Sequence, residues 1–136
     1  MKIYIASQYI KNSELNKKLK NKLSELGIEV FLPKEINVDA ITPEEKKYVG
    51  DICYEQVASS DIIIGVYYFG VSVAAEIGSA ITQKRAGIPK KIVILCLDPS
   101  EMQKIRSEVM VDPYVDLYFE SVEDLLHHFK YNEQLE

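Results

Sequence analysis

The sequence is poor in cysteine, with only Cys53 and Cys96 among its 136 residues. Neither belongs to a C-x-x-C pair or to a Cys/His cluster with the spacing of a metal site, so we expect no metal and no other cofactor. Two unpaired cysteines favour a reduced, cytoplasmic setting. No apolar run approaches the roughly 18 residues of a membrane span, and the first residues lack a signal-peptide core, so we expect no membrane association.

An excess of basic charge is absent as well. The chain has 16 Lys and Arg residues against 21 Asp and Glu residues, for a formal net charge of −5. Binding of duplex nucleic acid needs a dense basic face, so we expect no such partner and favour a small nucleotide instead. The lysines of residues 17–22 alternate with leucines at helical spacing, which indicates the solvated face of a helix.

What the sequence does contain is an alternation of short apolar runs with longer segments that carry helix caps. Strands are predicted at residues 2–6, 29–32, 61–66, 91–97 and 115–119. Helices are predicted at residues 13–26, 43–59 and 76–85, followed by a last helix capped by Ser121. This order favours an α/β domain over residues 1–136, a three-layer doubly wound, flavodoxin- or Rossmann-like parallel sheet of about five strands.

The carboxyl ends of parallel strands are where such sheets bind ligands, which selects the loops at residues 6–13, 33–42, 67–75 and 98–112. The strongest local signal is Gly70-Val-Ser-Val-Ala-Ala-Glu-Ile-Gly-Ser-Ala80, which follows a buried strand. Its small residues let a ligand approach the backbone, and the opening turns of a helix offer free N–H groups to phosphate or ribose oxygens. Close packing of a helix on the sheet is the structural alternative.

This segment resembles the nucleoside 2-deoxyribosyltransferase family, including its nucleoside 5′-monophosphate N-glycosidase branch. The resemblance extends over most of the chain. It is sharpest in the Glu-x-Gly-x-Ala pattern that begins at Glu76. Further matching segments are Ile3-Tyr4-Ile5-Ala6, Glu29-Val-Phe-Leu-Pro33, Ser60-Asp61-Ile-Ile-Ile64 and Ser121-Val-Glu-Asp-Leu-Leu126.

The resemblance implies a mechanism in which Glu76 attacks the anomeric carbon of the sugar, releases the base and forms a sugar ester with the enzyme. An acceptor base would then make a new nucleoside, whereas water would complete a hydrolysis. Tyr4 occupies the family's aromatic position in the first strand and would orient the carboxylate, although a purely structural tyrosine is the alternative. The residues expected to bind substrate are Ala6, Ser7, Gly70, Ser72 and Val73.

The sequence departs from the family at two positions. Gly70 stands where transferases carry a sugar-binding aspartate, and Ser72 stands where the monophosphate glycosidases bind phosphate, which favours a 5′-phosphorylated substrate unless Ser72 is a helix cap. Cys53 stands where the family has the acid that protonates the leaving base. Asp51 and Glu55 flank it, and Asp51 is our candidate for the general acid, with a solvated helix residue as the alternative.

These departures keep other functions open. One alternative is a non-catalytic nucleotide-binding module, and another is a glycohydrolase that acts on NAD or a cyclic-nucleotide signal. Family members commonly form dimers or larger oligomers, so we expect a homo-oligomer, with residues 67–69 and 109–111 as candidate contacts.

Overall fold

The computed structural model describes residues 1–33 and 40–132, in which five strands and five α-helices alternate. The strands are β1 Lys2–Ala6, β2 Glu29–Phe31, β3 Ile62–Val66, β4 Lys91–Leu95 and β5 Leu117–Phe119. The helices are α1 Ser13–Glu25, α2 Pro43–Ser59, α3 Val71–Arg85, α4 Pro99–Arg106 and α5 Val122–Tyr131, with a 3-10 turn at Asp112–Tyr114. The predicted loop at residues 33–42 lies mostly outside the described residues.

All five strands are parallel and follow the order β2-β1-β3-β4-β5. The chain moves outward from β1 to β2 and then returns to place β3 on the other side of β1. The strand order therefore reverses between β1 and β3, which is where open α/β sheets bind ligands. The predicted doubly wound sheet of about five strands is confirmed.

Apolar side chains cover both faces of this sheet, because alternate residues of each strand point to opposite sides. In β1, Ile3 and Ile5 pack with residues of α1 and α5, whereas Tyr4 and Ala6 pack with residues of α2, α3 and α4. The central strands are buried on both faces, which accounts for the unbroken apolar run of β3. Tyr4 is thus committed to the face covered by α2 and α3.

Helix α3 begins five residues earlier than expected. Gly70 is its N-cap, and the N–H of Ala74 donates to the carbonyl of Gly70 at 3.0 Å, so residues 71–75 are helical rather than a loop. The two alanines at positions 74 and 75 are strong helix formers, which outweighs the β-branched Val71 and Val73. Glu76 consequently lies in the second turn of α3 and not at its start.

Helix α4 was not predicted, because Asp98-Pro99 was interpreted only as the end of a strand and residues 98–112 as a loop. In the structure the Asp98 carboxylate accepts a hydrogen bond from the N–H of Ser100 at 3.0 Å, and Pro99 occupies the first helical position. An N-cap followed by proline is a helix-start signal as well as a strand terminator.

The amino ends of β3 and β4 carry a buried cation. The ammonium of Lys90 donates to the carbonyls of Val57 at 2.6 Å, Ala58 at 3.1 Å and Ser60 at 2.6 Å, and so satisfies the last turn of α2. Nearby, Asp61 accepts a hydrogen bond from the N–H of Lys2 at 2.8 Å. This edge of the sheet is closed by structural hydrogen bonds.

Candidate active site

Two buried polar side chains approach each other between β1 and α3. Tyr4 is fully buried on β1, and Glu76 is 8% exposed on α3. The neighbour of Glu76 on α3, Ile77, packs directly over Gly65 of β3, where an added Cβ would lie 2.7 Å from the Cδ1 of Ile77.

The Tyr4 and Glu76 side chains influence each other without a regular hydrogen bond. Among the described residues, Tyr4 Oη and Glu76 Oε2 are buried atoms with no hydrogen-bond partner. Burial raises the pKa of Glu76 to about 7, and the nearby Tyr4 hydroxyl opposes that rise. Burial and the adjacent Glu76 carboxylate raise the pKa of Tyr4 well above its ordinary value, so the phenol stays neutral. A neutral donor therefore faces a carboxyl group poised to ionise near neutrality.

Cys53 brings α2 to the same place. Its half-buried thiol is close enough to affect the pKa of Tyr4 and is itself affected by Glu76. Burial raises the pKa of the Cys53 thiol, with the Tyr4 hydroxyl opposing the rise. Three side chains from three elements, Tyr4, Cys53 and Glu76, therefore form one cluster.

Asp51 does not join this cluster. Residues two apart on a helix are separated by about 200°. Because Cys53 faces the sheet, Asp51 and Glu55 lie on the outer face of α2. The Asp51 carboxylate is half exposed and pairs with the Lys47 ammonium at 2.6 Å. The expectation that Asp51 faces the leaving base is not supported by this geometry.

A cleft of about 240 Å³ opens beside the cluster, between α2 and α3. Cys53 and Glu76 line its inner part, whereas Lys46, Tyr54 and Ser72 are exposed on its rim. Further lining residues are Ala40, Val49, Gly50 and Ala75. Apart from Cys53, the α2 residues of this lining were missed by sequence reasoning, although their spacing, at intervals of three and four, marks one helix face.

The predicted substrate-binding residues divide into two groups. Ser72 lines the described part of the cleft, whereas Ala6 and Val73 are core residues of the α2 and α3 face. Ser7 is buried and accepts a hydrogen bond from Asn12 at 3.1 Å, and Gly70 caps α3. The structure therefore brings Glu76, Tyr4 and Ser72 together and gives the other four positions structural contacts.

The candidate contact segments are also distinct from the cleft. Val109 and Met110 are 79% and 76% exposed, beside an apolar groove of about 430 Å³ on the far side of α3. Tyr67 and Phe69 instead pack at the edge of the core in a mutual edge-to-face contact, with ring centroids 5.2 Å apart. Only the first of these segments presents a broadly exposed apolar surface.

Neither a metal centre nor a membrane segment emerges from the residues that the structure describes. In residues 1–33 and 40–132, no three His, Cys, Asp or Glu side chains are grouped closely enough to hold a metal ion. No helix in those residues has the length and apolar character needed to cross a bilayer.

No model of a protein family matches the chain, and no curated protein matches it either. A solved structure of a 2-deoxyribosyltransferase from Bacillus psychrosaccharolyticus superposes with a TM-score of 0.78, covering 99% of this chain and 93% of the other at 22% identity. The chain has the 2-deoxyribosyltransferase fold.

A second solved structure supports the same architecture. A conserved protein from Enterococcus faecalis V583 aligns with a TM-score of 0.68 at 20% identity, covering 98% of this chain and 99% of the other. Both alignments extend over nearly the whole chain, so the 2-deoxyribosyltransferase fold includes all five strands. At these identities the similarity concerns the fold, and the chemistry has to be argued from the residues of the cleft.

Proposed function

We propose that the protein cleaves or transfers at the N-glycosidic bond of a nucleoside or nucleoside 5′-monophosphate, with Glu76 as the nucleophile. The observation that carries this proposal is the buried Oε2 of Glu76, which has no partner among the described residues and lies beside a cleft. Buried polar atoms are nearly always hydrogen-bonded. Asn16, buried in α1, also has unpartnered atoms, so what distinguishes Glu76 is its place in the wall of a cleft. The named activity of the Bacillus structure with the same fold is consistent with this chemistry.

In the proposed first step, the Glu76 carboxylate attacks the anomeric carbon as the bond to the base breaks. The transition state resembles an oxocarbenium ion, which the negative charge of the carboxylate stabilises. The neutral Tyr4 hydroxyl donates to the carboxylate and holds its orientation once substrate draws the two groups together. Water or an acceptor base then attacks the sugar ester, which regenerates Glu76.

The rim of the cleft has features that suit a 5′-phosphate. The exposed hydroxyl of Ser72 lies in the first turn of α3, and the N-cap Gly70 supplies no side chain to the free N–H groups there. These N–H groups and the helix dipole favour an anion, and the Lys46 ammonium across the cleft adds a positive charge. We therefore favour nucleoside 5′-monophosphates over unphosphorylated nucleosides.

A substrate panel tests the proposal. Deoxynucleosides, ribonucleosides and their 5′-monophosphates are incubated with the protein, with and without acceptor bases, and released or exchanged base is measured by chromatography. We expect turnover that Glu76→Ala reduces by at least 10³-fold, whereas Glu55→Gln, on the outer face of α2, retains it. Turnover that survives Glu76→Ala rules out the nucleophile. Tight binding without turnover favours the nucleotide-binding module.

The same assay has an expected pH dependence. Only the carboxylate form of Glu76 attacks, and the pKa of this group is raised to about 7. The kcat/KM should therefore increase about tenfold per pH unit below pH 7 and level off above it. A profile already flat from pH 5 upward would show that the nucleophile ionises near an ordinary carboxyl pKa.

A further inference from the structure

Cleavage of an N-glycosidic bond poses a question that the nucleophile alone does not answer. A neutral nucleobase leaves with the electron pair of the bond and becomes an anion unless an acid protonates it. Glycosidases that meet this need place a carboxylic acid opposite the nucleophile. A base that is already positively charged has no such need, because the same electron pair makes it neutral.

The cleft holds a thiol where such an acid would act. Cys53 is the residue of α2 that reaches Tyr4 and Glu76, and among the described lining residues Glu76 is the sole carboxylic acid. The two carboxylates next to Cys53 on α2, Asp51 and Glu55, lie on the exposed outer face. A thiol is a weaker acid than a carboxylic acid by about four pKa units and a weak hydrogen-bond donor. Burial weakens the Cys53 acid further.

The charge in the inner cleft favours a cation. Glu76 is buried there with no cationic partner among its described contacts, and the Lys46 ammonium is on the exposed rim. In a partly dry site a positively charged ring next to this carboxylate is attracted more strongly than in water. The exposed rim, with Lys46 and Ser72, remains available for a phosphate.

We propose that the substrates of this cleft are N-glycosides with a positively charged base, of the N-ribosyl pyridinium or N7-alkylated purine type. This inference rests on the proposed function and selects the substrate class. The carboxylate forms a C–O bond to the anomeric carbon, the C–N bond breaks, and its electron pair returns to the ring nitrogen to give a neutral base. Water then hydrolyses the ester to the free sugar and releases one proton, so each hydrolysis acidifies the solution by one proton.

The first test compares two matched substrates, 7-methylguanosine 5′-monophosphate and guanosine 5′-monophosphate, which differ in one methyl group and one charge. At pH 6, where N1 of the methylated purine keeps its proton and the substrate is cationic, we expect kcat/KM to be at least 100-fold higher for the cationic substrate, with one proton released per base. The pH profile is recorded with nicotinamide mononucleotide, whose pyridinium ring has no proton to lose, and should rise to a plateau and stay level to pH 9. Equal kcat/KM values, or a falling limb that reveals a required acid, would overturn the inference.

A variant tests the role of the thiol. Cys53→Asp places a carboxylic acid in the cleft and should increase kcat/KM for guanosine 5′-monophosphate at least tenfold, without a gain for the methylated substrate. Cys53→Asn, of the same shape but without an acid, should give no gain for either. If Cys53→Asp does not fold, the wild-type pH profile and proton release still show whether cleavage requires an acid. An equal gain in kcat/KM for Cys53→Asn and Cys53→Asp contradicts the inference that the cleft lacks an acid.

The outcomes separate this inference from the proposed function. Glu76-dependent turnover of neutral substrates at rates equal to those of the cationic ones leaves the function standing and the inference refuted. No turnover of either substrate, or of any other member of the substrate panel, refutes the function itself. Nicotinamide mononucleotide, a ribosyl pyridinium, is assayed in parallel, and preference for it over 7-methylguanosine 5′-monophosphate identifies which type of cationic base the cleft takes.

Discussion

Among the described residues, two charged side chains are buried, and their surroundings differ: Lys90 lies at the amino ends of β3 and β4, and Glu76 lies on α3 beside the candidate cleft. Lys90 and Glu76 are both 8% exposed. The Lys90 ammonium donates to three carbonyls at the end of α2. The Glu76 carboxyl group, on the face of α2 and α3, keeps one oxygen without a partner among the described residues.

This difference separates a structural charge from a functional one. A buried ion is tolerated when its hydrogen-bonding capacity is filled, as at Lys90, although burial still lowers the pKa of that ammonium. Glu76 has only the nearby Tyr4 hydroxyl to oppose the effect of burial, so its pKa is raised to about 7. A carboxyl group that is only partly compensated and lies beside a cleft costs stability, a pattern typical of functional sites.

The largest expected effect on stability is at Lys90. Lys90→Met keeps the apolar stem but leaves the carbonyls of Val57, Ala58 and Ser60 without their donor. We expect a loss of about 4 kcal/mol in the free energy of unfolding, measured by urea denaturation at pH 7. Lys17→Met, on the exposed face of α1, is the control and should leave the midpoint in place. Coincident denaturation curves for Lys90→Met and Lys17→Met would show that the hydrogen bonds of Lys90 do not stabilise the fold.

A change of opposite sign is expected at Glu76. Its carboxyl group stays protonated in the folded protein up to about pH 7 but ionises near pH 4.5 in the unfolded chain. The folded state binds the extra proton between these values, so wild-type stability falls as the pH rises through this window. Relative to wild type, Glu76→Gln should therefore gain about 3 kcal/mol between pH 4 and pH 8. A difference in the free energy of unfolding that does not change with pH would show that folding does not raise the pKa of Glu76.

The smallest effect is expected on the outer face of α2. Asp51 pairs with Lys47 in solvent, away from the cleft, so Asp51→Asn should change kcat/KM by less than about twofold. Steady-state kinetics on the best substrate of the panel check this. A tenfold loss would restore Asp51 as a general acid and require α2 to rotate when substrate binds.

Much of the fold could be predicted from the sequence because its signals are local. The boundaries of β1 and α2 and the cap at Ser121 follow from apolar periodicity, the Thr42-Pro43 start and an N-cap serine. The predicted start of α3 was wrong and α4 was not predicted, because in each case one local signal had two meanings. Small residues suit a loop and a helix alike, and Asp-Pro ends a strand and begins a helix.

The candidate site, like the fold, was predictable only where the signals are local. The sequence by itself determined that Glu76 follows a buried strand and that Tyr4 is in the first strand of a parallel sheet, since both depend on short-range pattern. Only the tertiary structure decided that Cys53, and not Asp51, faces them, because a shift of two residues on a helix reverses the side that a residue presents. It also decided that one carboxylate oxygen of Glu76 is buried without a partner among the described residues, because burial depends on how α2 and α3 pack over β1.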